Sequence, residues 1–379
     1  MCDSLNAQDC VYTHILRGTV DKKEVVESTV IGSVSRCIVP HRDFDEFVAL
    51  AKSPDFRFVV SNTTEAGISY EPEALCEGKL PKTFPAKVTL LLFERFKAKF
   101  PGFIFLPCEL IDRNGDKLRE CVLKYADDWN LGEDFIRFIK EDNVFATTLV
   151  DRIVTGYPKD EKIDLPYADN MIDTSEYFHL WVIETDADIE AELPLRAAGL
   201  NVVYTNDLEP YRTRKVRILN GAHTSTVAHA MLNGIETVKD CMDHPEASAL
   251  LKSRVFDEIV PTLDLPTEEL EAYAAAVLER FANPYIKHYW KSISLNSVSK
   301  WKVRVLPSVL VYKERFGKLP RGLSLSLGYL IKLYKSDMAT DSPEVIDFMK
   351  NASVEDILKN QKLWDCDLSF MLESVNEVL

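Results

Sequence analysis

Gly102-Phe-Ile-Phe-Leu-Pro107 is a short uncharged run closed by a proline, and it reads as a strand buried within a parallel sheet. Upstream, Phe56-Arg-Phe-Val-Val-Ser61 has the same character and ends at Asn62-Thr63-Thr64, as a buried parallel strand would. Between the two runs, Lys87–Lys99 reads as a helix. Beyond them, Asn114–Trp129 reads as another, after an Asn114-Gly115 turn. His41–Ala51 carries Phe44, Phe47 and Leu50 at helical spacing, and Cys10–Leu16 and Val25–Val39 are rich in β-branched residues. This alternation predicts a parallel α/β sheet with crossover helices.

The second half changes character. From Tyr177 onward the pattern is mostly helical, with segments at Arg214–Gly234, Glu246–Ile259, Thr267–Arg280, Pro284–Leu306, Leu323–Lys335 and Val345–Lys359. The polar, turn-rich stretch Tyr157–Asp173 is the expected boundary. It gives an α/β domain over 1–165 and a helical substrate domain over 166–379.

The chain has 379 residues, enough for two cores, with 46% hydrophobic and 28% charged residues. A net charge of −15 argues against nucleic acid as partner. An anionic small molecule remains open if basic residues converge in one cleft. No apolar run approaches the roughly 20 residues of a membrane helix, and Met1-Cys2-Asp3-Ser4 starts no secretory signal. The eight cysteines show no CxxC pair, so reduced thiols, no metal site and a cytoplasmic location are expected.

The segment Lys215-Val-Arg-Ile-Leu-Asn220-Gly-Ala-His223 carries chemistry. On an ideal helix Asn220 lies about 140° and His223 about 80° from Lys215, on one side. A lysine whose pKa is lowered can take the proton of a secondary alcohol while hydride leaves its carbon. Arg212, Arg214 and Arg217 could supply a cationic neighbourhood, and Asn220 and His223 could hold the developing alkoxide. The same residues also suit a solvated helix start with satisfied interior polar groups.

Lys215-x4-Asn220-x-x-His223 resembles the signature of the polyol-specific long-chain (mannitol) dehydrogenases, a family that includes hexuronate reductases. Further likeness lies in Asn62-Thr63-Thr64-Glu65-Ala66-Gly67-Ile68, Cys108-Glu109-Leu110-Ile111-Asp112-Arg113-Asn114-Gly115, Val150-Asp151-Arg152-Ile153, Glu176–Glu184 and Asn283-Pro284. The resemblance implies a Rossmann-like domain followed by a helical one, and NAD as cofactor without a metal. It implies Lys215 as general acid/base, with Asn220, His223 and Asn114 around the reacting oxygen. Asn62, Thr63, Thr64 and Glu65 then face the cofactor, and Asp151 the substrate hydroxyls. Taken alone, Asn62–Glu65 also suits an ordinary helix cap and Asp151-Arg152 a structural ion pair.

Two departures bear on the substrate. Arg212 stands where the hexitol enzymes carry a carboxylate, and Ser292 where they carry an arginine. Lys287, His288, Lys300 and Arg304 occur in the same region, which resembles the branch reducing D-tagaturonate to D-altronate. With Arg212 these cations are expected to meet a sugar-acid carboxylate. Fructuronate and mannitol are the alternatives within the family. A Schiff-base aldolase and a non-catalytic sugar-acid-binding fragment are the alternatives outside it. The family's strand, Gly-rich turn and helix for pyrophosphate find no counterpart in this sequence, so an incomplete dinucleotide domain with weak NAD binding is expected.

Overall fold

The computed structural model describes residues 1–379 apart from Asp21, Lys22, Glu65 and Asp160. Glu65, expected at the cofactor, therefore lies outside the described residues. The chain forms two compact units: Met1–Leu16 with Glu27–Leu208, and Arg17–Val26 with Glu209–Leu379.

The described residues form three small sheets, two of them wholly in the first unit, while the other includes residues of Arg17–Val26 in the second. β1 (Tyr12–Val20) lies between β2 (Lys23–Ile31) and β7 (Asp173–Ser175), with His14 opposite Asp173 in a parallel pairing. β3 (Phe58–Ser61), β4 (Ile104–Pro107) and β5 (Val144–Phe145) form a parallel sheet, with Ser61 opposite Pro107. β6 (Thr147–Asp151) pairs antiparallel with β8 (Leu180–Glu184), which pairs parallel with β9 (Val202–Thr205).

The segment around β4 shows why its sequence is apolar throughout. Successive side chains point to opposite faces of a strand. Phe103 and Phe105 pack into one core with Leu92, Leu118, Val122, Phe135 and Ile139. Ile104 and Leu106 pack into another with Ala146, Ile183, Ile189 and Val202. A strand buried on both faces has no position left for a polar residue. Each such side chain contributes about 1.5–3 kcal/mol on burial. Helices Phe84–Lys97 and Asn114–Asp128 supply the first of these cores, and Thr83 caps the former by accepting from the Ala86 N–H.

The expected boundary near residue 165 is corrected. Residues 166–208 complete the first unit, because β8 and β9 join β6 through backbone pairing. The turn-rich stretch 157–173 connects paired strands of one unit. The mostly helical pattern begins at Glu209, 32 residues later than Tyr177.

In the second unit, the expected helix Arg214–Gly234 is divided. Helix Glu209–Arg214 leads into a π-helical turn, Lys215–Asn220, and then helix Gly221–Leu232. Pro284–Leu306 is broken into Trp290–Ile293 and Ser297–Arg304, the latter started by Asn296 in the left-handed region at φ 55. Trp290, Trp301 and Trp364 fill the unit's interior. A buried polar pin fastens helix Arg321–Lys335: Glu258 accepts from the Gly322 and Leu323 N–H groups, and Arg254 donates to the carbonyls of Gly322 and Ser225. All eight cysteines are free. Among the described residues no helix is long and apolar enough to cross a membrane.

Asn114 is fully buried, and its side chain ties the end of β4 and the loop after it to the start of β6. Its amide nitrogen lies 2.8 Å from the Pro107 carbonyl and 3.0 Å from those of Glu109 and Thr148. Its oxygen accepts from the N–H groups of Gly115 and Thr148, both at 2.9 Å. Gly115 follows because a Cβ there would lie 2.3 Å from the Ala146 carbonyl oxygen. An amide has two N–H donors, and here three carbonyls already share them. The expected oxyanion role of Asn114 is therefore replaced by a structural one. Asn114→Ala should lower the unfolding free energy by about 3 kcal/mol or more, since several buried groups lose their partner together. Urea unfolding followed by circular dichroism measures this. A loss within about 1 kcal/mol would contradict the structural role.

Candidate active site

Lys215 and Asn220 bound the π-helical turn. Such a turn closes hydrogen bonds from residue i to i+5, and inside a helix it marks functional sites with some frequency. Here the Gly221 N–H reaches the Val216 carbonyl. The wider ring brings residue i+5 round above residue i. Asn220 consequently lies closer to the Lys215 face than the roughly 140° of an ideal α-helix. Gly221 permits this junction to be packed. A Cβ on it would lie 3.0 Å from the Arg304 carbonyl oxygen at the end of helix Ser297–Arg304, and 3.6 Å from that of Val216.

Lys215 and Asn220 are half-buried, and the Asn220 amide makes no side-chain hydrogen bond among the described residues. His223 is buried, with 7% of its surface exposed. Its ring stacks on Phe281 at 4.2 Å and meets His288 edge-on at 5.0 Å and Trp290 at 6.0 Å. Its Nε2 has no hydrogen-bond partner among the described residues. Burial holds the His223 pKa well below 6.5, and His288, Arg280 and Arg304 push it the same way. His223 is thus a neutral imidazole with one unused ring nitrogen. Burial also lowers the pKa of His288.

The cations expected at the substrate separate into different groups. Arg212 pairs with Glu209 one helical turn earlier, and Arg214 pairs with Glu269 while lying over the Tyr273 ring. Lys300 donates to the Ile293 carbonyl at 2.9 Å, and Lys287 is exposed. Arg304 is half-buried with no carboxylate in an ion pair with it among the described residues, and desolvation lowers its pKa. Arg217 donates to the neutral Ser308 hydroxyl at 2.9 Å, and burial lowers its pKa to about 10. Of the three arginines expected to surround Lys215, Arg217 alone has no carboxylate in an ion pair among the described residues.

The first unit holds the remaining expected residues. Asn62, Thr63 and Thr64 form an exposed loop at the carboxyl end of β3, where ligands of parallel α/β sheets bind. Glu109, at the end of β4 and 2% exposed, fixes that loop. Its carboxylate accepts from Ser61 Oγ at 3.1 Å, from the Thr63 N–H at 3.0 Å and from Thr63 Oγ1 at 2.9 Å. A polar, backbone-exposing loop held in one shape fits part of a dinucleotide. Asp151 is buried at the end of β6, opposite Leu180. Arg152 donates to the Glu176 carbonyl. Glu109 was visible only as part of a resembling segment, and Arg280 only as a helix end. Neither has a local sequence signal for its place.

Comparisons with known proteins agree with this architecture. The family model described as the mannitol dehydrogenase Rossmann domain matches residues 1–196, and the mannitol dehydrogenase C-terminal domain matches residues 207–377. The altronate oxidoreductase of Yersinia enterocolitica is 47% identical over 343 residues, covering 88% of this chain and 71% of that protein. The altronate oxidoreductase of Klebsiella pneumoniae is 45% identical over 370 residues, covering 95% and 76%. Among solved structures, a D-sorbitol dehydrogenase in substrate-free form superposes with a TM-score of 0.82 at 22% identity, covering 99% of this chain and 82% of the other. Pseudomonas fluorescens mannitol 2-dehydrogenase, in a ternary complex with NAD and D-mannitol, gives 0.65 at 21% identity, covering 100% and 81%.

The buried histidines make stability depend on pH. His223 and His288 stay neutral in the fold below 6.5, whereas in the unfolded chain they protonate there. The unfolded state then binds more protons, so their contribution is complete above 6.5 and is lost as pH falls toward the lowered folded values. The Tm should decline between about pH 7 and about pH 5, and less steeply in His223→Phe. Thermal melts across that range check this, and equal slopes in both proteins would refute the neutral state of His223.

Proposed function

The chain belongs to the mannitol dehydrogenase family, and from that premise we propose that it is an NAD-dependent oxidoreductase interconverting D-tagaturonate and D-altronate. The altronate oxidoreductases among its relatives favour this substrate pair. The observation that supports this chemistry is the wide turn that begins at Lys215 and ends at Asn220, three residues before the buried His223 with its unused Nε2.

In reduction, the carbonyl carbon of the keto acid gains a hydride and its oxygen gains a proton. NADH, when bound, supplies the hydride. The Lys215 ammonium gives the proton to the oxygen, and in oxidation the neutral amine takes it back. Asn220 donates an N–H to the same oxygen as charge develops there. His223 Nε2 makes a further hydrogen bond to it. Since His223 is neutral, proton transfer at this site falls to Lys215. No metal has a part in this scheme. Asn62, Thr63 and Thr64 would line the cofactor, with Glu109 holding their loop rigid. Asp151 would meet substrate hydroxyls.

Side-by-side NADH oxidation with D-tagaturonate, D-fructuronate and D-fructose tests the substrate. The proposal expects the highest kcat/KM with tagaturonate. A maximum with fructuronate or fructose assigns another branch of the family, and no oxidation with any of them refutes the enzyme reading. Lys215→Ala should lower kcat by about 10²–10⁴-fold while leaving the Tm close to wild type, and a small primary amine in solution should restore part of it. Near-normal turnover in a folded Lys215→Ala protein would remove Lys215 from its role.

A further inference from the structure

The second unit contains a charge imbalance around the buried His223. His223 has an unused Nε2, and Arg304, Arg280 and His288 all surround it with positive or protonatable groups. Arg280 already has an interaction partner. Arg304 differs: no hydrogen bond or ion pair of its side chain occurs among the described residues, and it is half-buried. Its backbone position is fixed. The Arg304 carbonyl closes helix Ser297–Arg304 directly over Gly221, the residue that joins the wide turn to helix Gly221–Leu232. The arginine is therefore anchored beside the segment that carries Lys215, Asn220 and His223.

A partly desolvated guanidinium without an anion is costly to keep in a fold. Cations on the adjoining helices have partners: Arg212 has Glu209, Arg214 has Glu269, Lys302, two residues before Arg304, has Asp365 at 2.8 Å, and Arg217 has the neutral Ser308 hydroxyl at 2.9 Å. An incoming carboxylate would complete the set, and the guanidinium fork matches its two oxygens. We propose that Arg304 reads the carboxylate of the sugar-acid substrate and sets the preference for a hexuronate over an uncharged polyol. This rests on the proposed sugar-acid chemistry and adds to it the residue that selects the charge. His288, the edge-on neighbour of His223, is neutral and contributes contact without charge.

The test uses D-altronate and D-altritol, which differ in having a carboxylate or a hydroxymethyl group at one end. Inhibition constants for both, and KM and kcat for D-tagaturonate, are measured on the full chain and on Arg304→Gln, Arg304→Lys and Lys302→Gln. Arg304→Gln should weaken altronate and raise the KM for tagaturonate by about 10- to 10²-fold, the usual range for a lost charged hydrogen bond. Altritol should change by less than about twofold and kcat should change little, because the carboxylate is remote from the reacting carbonyl. Arg304→Lys keeps the charge without the fork and should fall between. Lys302→Gln should leave the altronate preference intact. Should Arg304→Gln not fold, a weaker altronate preference in Arg304→Lys supports the assignment, and an unchanged preference overturns it. Equal losses for altronate and altritol in folded Arg304→Gln also overturn it, as does a wild-type chain that reduces tagaturonate without preferring altronate to altritol. A wild-type chain that binds neither sugar and reduces no hexuronate instead refutes the sugar-acid reading beneath it.

Discussion

The close approach of the Arg304 carbonyl to Gly221 is the constraint from which the candidate site follows. A side chain at 221 would press against that oxygen, so the residue is glycine and the two backbones meet. The helix that begins there is entered through a turn one residue wider than α-helical geometry. That extra residue changes which side chains share a face. It turns Asn220 toward the Lys215 side, and His223 follows on the regular helix beyond. The arrangement depends on backbone geometry as much as on the identities of the three residues.

Burial then divides the polar groups by charge. His223 lies among Phe281, Trp290 and several cations, and in that setting the imidazolium form is suppressed. A neutral imidazole can support an oxygen that alternates between carbonyl and alcohol without itself gaining a proton. In the proposed reaction the proton comes from elsewhere, and Lys215 is the member of the proposed trio that would carry it. The first unit uses the same economy differently. There the buried carboxylate of Glu109 and the buried amide of Asn114 are spent on holding loops and strand ends in place.

Much of the fold was legible in the sequence because burial on both faces demands unbroken apolar runs. Gly102–Pro107 and Phe56–Ser61 announced their strands in that way. The boundary was not legible. β8 and β9 belong with β6 through backbone pairing across distant positions, and the polar stretch before them looks like any linker. The Lys-Asn-His pattern singled out the candidate catalytic segment, while its wide turn left no mark in residue types. Asn114-Gly115 reads as a turn, and only the structure reveals that both ends of the amide are occupied. The pairing of Arg212 could have been seen, since Glu209 stands three residues before it. The isolation of Arg304 could not, because it depends on which carboxylates the folded chain leaves elsewhere.

The central claim is that the substrate's reacting oxygen is held by Lys215, Asn220 and His223 together. A crystal structure of the chain with NADH and D-altronate, a pair that cannot react, measures this directly. The account predicts the secondary alcohol oxygen within about 2.6–3.2 Å of Lys215 Nζ, Asn220 Nδ2 and His223 Nε2. An alcohol oxygen bound by other side chains, with His223 Nε2 still unpartnered and Lys215 directed away, would contradict it.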